Sequence, residues 1–128
     1  MRILNLFVLV LVASFLSCEK EQEDQVNEGI QIRIENTSQF TYQEILVKID
    51  EDHHYGTLAP GEKSAYQTFT KAYRYAYVRL KIGDKSYVLQ PIDYVGEKEL
   101  KAGKYTYQIV AHDGAGSSGH LGLTFKED

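Results

Sequence analysis

The chain contains no tryptophan, one methionine, two prolines and one cysteine. A single cysteine excludes an internal disulfide framework. Cationic charge is in the minority, with 14 Lys and Arg against 18 Asp and Glu, so the formal net charge is −4. No basic stripe with interleaved aromatics marks a path for a phosphate backbone, and nucleic acid is not an expected partner. The longest apolar run, Ile3 to Leu16, falls short of the roughly 18 or more residues expected of a spanning helix. Beyond residue 29 no segment keeps helical spacing of apolar residues, which argues against an α/β alternation. Gly114 to Gly119 reads GAGSSG, a letter match to a dinucleotide fingerprint. That motif works only between a strand and a helix that holds the pyrophosphate, with an acidic residue about 20 positions on. Nine residues follow Gly119. These glycines are expected to form a β-loop, and no nucleotide is expected.

What the chain does have, first, is a leader. Residues 1–17 combine Arg2, the apolar run and small Ser17, the layout of a signal peptide. Phe15-Leu16-Ser17-Cys18 resembles the lipobox of bacterial lipoproteins, with Phe15 where leucine is usual. In that family the cysteine is acylated, with chains such as palmitate, and becomes the mature N-terminus. The resemblance therefore implies lipidation at Cys18 and a protein held at a membrane without spanning it, since several chains exceed the two signals that stable anchoring requires. Residues 18–29 continue as CEKEQEDQVNEG, where Glu19, Glu21, Glu23, Asp24 and Glu28 face a lone Lys20. Low hydrophobicity and self-repelling charge make this a solvated tether. It resembles the acidic segment after the cysteine in surface-exported lipoproteins of some Gram-negative lineages. That implies an outer-membrane lipoprotein, with the outer surface favoured over the periplasmic face.

Residues 30–128 have the length of one domain, large enough to bury about two-thirds of its unfolded surface. Apolar residues here recur with period two. Ile30, Ile32 and Ile34 alternate and stop at Asn36-Thr37-Ser38; Ile45, Val47 and Ile49 alternate and stop at Asp50-Glu51-Asp52. His54 to Leu58 closes at Pro60-Gly61, a turn pair. Lys63 to Thr70, Tyr73 to Ile82, Ser86 to Gln90, Lys104 to Ala111 and Leu121 to Phe125 complete the series. Some seven to eight short strands with polar turns predict an all-β, antiparallel β-sandwich. Tyr55-Gly56-Thr57-Leu58, Pro60-Gly61-Glu62-Lys63-Ser64-Ala65-Tyr66 and Leu100-Lys101-Ala102-Gly103-Lys104-Tyr105-Thr106-Tyr107 resemble segments of small immunoglobulin-like or transthyretin-like bacterial lipoprotein domains. The resemblance spans roughly residues 30 to 111 and implies a fold; it carries no catalytic residue over.

Few residues here suggest chemistry. His53 and His54 are adjacent, so on a strand they point to opposite faces and cannot share a metal. His112 and His120 flank the glycine loop and can approach across a hairpin, with Asp113 as a third donor, yet the spacing matches no known metal site. Ser117 or Ser118 with His120 and Asp113 writes out a Ser/His/Asp set, but a glycine-rich loop offers no rigid frame and no oxyanion hole. Neither catalysis, nor a metal, nor a cofactor is expected. Ten tyrosines are the compositional excess. Tyr73, Tyr75 and Tyr77 alternate against Val78, Leu80 and Ile82, so if the latter fill the core, the tyrosines face outward with Arg79. Tyrosine at a surface offers rigid contact area with a polar tip, suited to protein or glycan ligands. The reading is a lipid-anchored, non-enzymatic binding or accessory module of the cell envelope. Its alternatives are a metal-binding or hydrolytic protein using the His112 to His120 loop, or a structural subunit contributing an edge strand to an envelope assembly.

Overall fold

The structure is a computed structural model that describes residues 29–91, 97–112 and 120–128. Residues 1–28, with the expected signal peptide, Cys18 and all but the last residue of the expected tether, and the glycine loop with Asp113, Ser117 and Ser118 lie outside the described residues. Eight strands form: β1 (Ile30–Asn36), β2 (Tyr42–Lys48), β3 (Asp52–Leu58), β4 (Gln67–Phe69), β5 (Tyr77–Ile82), β6 (Lys85–Leu89), β7 (Gly103–His112) and β8 (His120–Glu127). No helix occurs among the described residues. The all-β class is therefore as the alternation predicts. The clearest case is β1, whose Ile30, Ile32 and Ile34 turn inward while the residues between them stay half-buried.

Two turns show why glycine stands where it does. Ala59 accepts from the Glu62 amide across Pro60-Gly61, with Gly61 at φ 80°. Proline presets the first central position and only glycine takes the second without strain. Between β5 and β6, Gly83 at φ 62° opens a two-residue hairpin in which Ile82 faces Lys85. Glu44 is the one non-glycine described residue at positive φ, 50°, and sits where the β2 register slips as a bulge.

The strands join in a single sheet, ordered β3-β2-β5-β6-β8-β7-β1-β4. This differs from the antiparallel expectation in two places. β1 and β7 run parallel from Ile30 opposite Gly103 to Asn36 opposite Ile109. β6 and β8 are parallel as well, meeting at Val88 and His120. Alternation tells which side of a strand faces the core, whereas partner and direction are set by how the chain crosses the molecule.

The sheet curls until its edge strands β3 and β4 nearly meet, giving a barrel-like shape. No ladder joins those edges among the described residues; side chains bridge them instead. The Gln67 amide nitrogen donates to the His54 carbonyl at 2.7 Å, and its oxygen lies 3.1 Å from His53 Nδ1. His53 stacks on Phe69 with ring centres 3.6 Å apart, and the Tyr55 hydroxyl donates to the Ile32 carbonyl at 2.7 Å.

Inside the curl lie Ile32, Ile34, Val47, Val78, Leu80 and Ile109, all fully buried. Burying each such side chain contributes about 1.5–3 kcal/mol. With no tryptophan, tyrosine fills the larger spaces and carries a hydroxyl that must find a partner. Tyr42 donates to the Ile109 carbonyl at 2.8 Å and Tyr105 to the Lys101 carbonyl at 2.7 Å. Burial pushes the Tyr42 phenol above its ordinary range, against a lowering hydrogen bond with Ser38, and burial does the same to Tyr55.

Candidate functional site

The outer face of the sheet carries the exposed chemistry. Strand registers place Leu46 opposite Arg79, Arg79 opposite Val88, Val88 opposite His120, and His120 opposite His112. Cross-strand partners project from the same face. These five residues therefore form one lateral row across β2, β5, β6, β8 and β7, and His54 of β3, which faces Leu46, extends it.

At one end of the row β2 and β5 shape a cleft of about 560 Å³. Lys48 faces Tyr77 and Leu46 faces Arg79, so two cations and an aromatic ring stand over Leu46, itself 5% exposed. Ile49, Asp52 and Gln90 complete the wall. The Lys48 ammonium and Asp52 carboxylate are 3.9 Å apart with both side chains more than half exposed, a pair of little energetic consequence. The Arg79 guanidinium forms no hydrogen bond or ion pair with the described residues. Its planar fork of donors is thus available to a carboxylate or phosphate. Beside it Tyr77 is half-buried and can offer a ring face without becoming ordered on binding.

Tyr73, Tyr75 and Tyr77 do not make one row. β5 begins at Tyr77, and Tyr73 and Tyr75 precede it outside any ladder; Ala76, Val78 and Leu80 turn inward in alternation, but Arg74 is exposed and breaks the phase before them. Ile82 is partly buried against the same core. The Tyr73 carbonyl accepts the Tyr107 hydroxyl. Tyr75 lines a second cleft of about 580 Å³ with Arg74, Glu97, Lys98, Leu123 and Phe125, where Arg74 lies 5.7 Å over the Phe125 ring. Tyr77 and Arg79 share one site, and Tyr75 belongs to another.

The histidines divide as their positions require. His53 faces inward and is 8% exposed, while His54 is exposed on the other side. His112 and His120 are both exposed and directly opposed. Among the described residues no three His, Cys, Asp or Glu converge on one point.

A second outer cluster has no counterpart in the sequence reading. Thr106, 1% exposed, donates to the Asp128 carboxylate at 2.7 Å, and Tyr66 donates to the same group at 2.7 Å. Arg33 donates to the Thr106 hydroxyl at 3.0 Å, stands 3.5 Å from Asp128 and lies 4.8 Å over the Tyr66 ring. Burial of Asp128 disfavours its charge, but hydrogen bonds from Tyr66 and Thr106 and the charges of Arg33 and Lys126 outweigh it and hold the carboxyl below its ordinary range. All of its members are engaged with one another, so this is a structural clasp.

Neither a known protein family, nor a curated protein, nor a solved structure matches the chain. The functional reading rests on these residues.

Proposed function

We propose that this protein is a lipid-anchored, non-enzymatic binding module of the cell envelope. Acylated Cys18 holds it at the outer membrane, the acidic segment 19–29 spaces it from the lipid, and the β-domain takes a protein or glycan ligand at the Tyr77–Arg79 cleft. Surface display is favoured over the periplasmic face by the acidic tether. An immunoglobulin-like or transthyretin-like identity for the curled sheet belongs to the same proposal, on the turn and tyrosine segments quoted above.

The observation that carries the binding role is the unengaged Arg79 beside half-buried Tyr77 in an open cleft. Aromatic and arginine side chains in such settings carry most of the affinity of an interface, at about 2 kcal/mol or more each. Binding of the purified protein to envelope fractions should therefore fall roughly 30-fold on Tyr77→Ala or Arg79→Ala, with melting temperature nearly unchanged. In parallel, Cys18→Ala should abolish incorporation of labelled fatty acid. Labelling of Cys18→Ala at the parent level, or no labelling of the parent, defeats the anchor, and unaltered envelope binding by both cleft variants defeats the site.

A further inference from the structure

We propose that His112 and His120 form a surface site for a divalent transition-metal ion, with two imidazole nitrogens as protein ligands and water in the remaining positions. The pair is the terminal rung of the β7–β8 hairpin, whose register runs without a slip from Tyr105 opposite Glu127 to His112 opposite His120. A ladder of that length sets the two backbones rigidly. Directly opposed residues have Cβ atoms about 4.5–5.5 Å apart on the same face. Two imidazoles from such positions can converge on one ion at the nitrogen distance of about 2.0–2.1 Å that zinc takes.

Three features separate this pair from ordinary surface histidines. First, neither ring has a hydrogen bond, an ion pair or a ring contact with the described residues. By contrast His53 is stacked on Phe69 and bonded to Gln67. Both exposed rings can therefore turn toward a metal without breaking a contact. Second, the next residue on the same face of β8 is Gly122, where a Cβ would stand 3.1 Å from Val110 Cγ1 and 4.0 Å from His112 Nε2. Glycine there keeps a further side chain from pressing on the His112 ring, although Val110 already stands close to the same spot. Third, the neighbour of His120 on its other side is Val88, apolar and 42% exposed, so no carboxylate or ammonium from β6 occupies the position alongside. The nearest cation in the row, Arg79, is two strands away, about 10 Å at the usual spacing.

Neutral imidazole suits zinc, copper and nickel. Structural zinc sites close with four protein ligands, so a two-histidine site is open, exchangeable and unnecessary for folding. This site is independent of the Tyr77–Arg79 cleft, and either can fail without the other.

The test uses the full chain without a polyhistidine tag, in detergent, with Cys18→Ser so that no thiol competes. Calorimetric titration with zinc chloride and nickel chloride should show one equivalent binding with micromolar affinity. His112→Ala and His120→Ala should each weaken it by about tenfold or more, the scale expected when metal coordination is disturbed. His54→Ala, at the far end of the same row, should leave binding unchanged, and melting temperatures in chelator should be equal for all variants. Absence of saturable binding below millimolar metal overturns the proposal. So does binding that survives His112→Ala, or that is lost on His54→Ala.

Discussion

At the scale of single residues, Asn36 shows how much one buried polar side chain can hold. It is fully buried; its amide nitrogen donates to the carbonyls of Phe40 at 2.7 Å and Leu58 at 3.1 Å, and its oxygen accepts from the Ser38 amide and hydroxyl, both at 2.8 Å. That uses the whole donor and acceptor capacity of an asparagine. Its own amide and carbonyl pair with Glu62 and Gly61, so the end of β1, the start of β2 and the end of β3 meet on one residue. Asn36→Ala leaves buried carbonyls unpaired and should cost about 2–4 kcal/mol, read as a lower urea midpoint at unchanged slope. A variant within 0.5 kcal/mol of the parent, roughly the noise of surface substitutions, would refute that role. Asn36-Thr37-Ser38 reads in the sequence as the end of a strand, and it is one, because asparagine competes locally with the ladder. That its amide also reaches β3 depends on a curl of the sheet that local pattern does not encode. Tyr77 and Arg79 were legible as outward residues of one strand. Lys48 and Gln90 beside them were not, since nothing in the alternation says that β2 lies against β5.

Among elements, the boundaries that sequence predicts best are those flanked by turn chemistry. β1, β7 and β8 follow the expected runs closely. β4 and β5 are shorter than expected: of Lys63 to Thr70 only Gln67–Phe69 is strand, and Tyr73 to Ala76 lies outside the ladder. Ala72 and Ala76 still meet the core ahead of β5, with exposed Arg74 between them, because a segment can bury residues without backbone pairing. The β3–β4 seam is the product. Its closure falls largely to Gln67, whose amide spans from His53 to the His54 carbonyl, and to Tyr55. Gln67→Ala should therefore destabilise the fold by about 1–3 kcal/mol. More tellingly, amide exchange should rise in β3 and β4 well before β1 and β7, because only side chains bind the seam. Uniform acceleration across all strands would show that the seam is no weaker than the ladders.

For the whole molecule, the clasp of Arg33, Tyr66, Thr106 and Asp128 fastens the end of β8 to β1 and β7, and its chemistry sets an acid limit. Asp128 has a folded-state pKa below its ordinary value. A depressed carboxyl contributes stability that is present above the unfolded value, about 3.9, and is lost as pH falls through the folded value. Melting temperature should accordingly decline as pH drops below about 4, and Asp128→Asn should flatten that decline while lowering stability at neutral pH. Parallel acid limbs in the two proteins would assign the effect to other carboxylates. Nothing in the local pattern announced this clasp, since its members come from four separate stretches of chain. The parallel pairing of β1 with β7 has a consequence in time as well as space. The hairpins β2–β3 and β5–β6 can close from neighbouring segments as soon as those are made, but Ile30 must wait for Gly103, and Asn36 for Ile109. A chain that emerges from its N-terminus delivers β1 first among the strands and encloses it among the last, so its three isoleucines spend most of synthesis without the neighbour that will cover them.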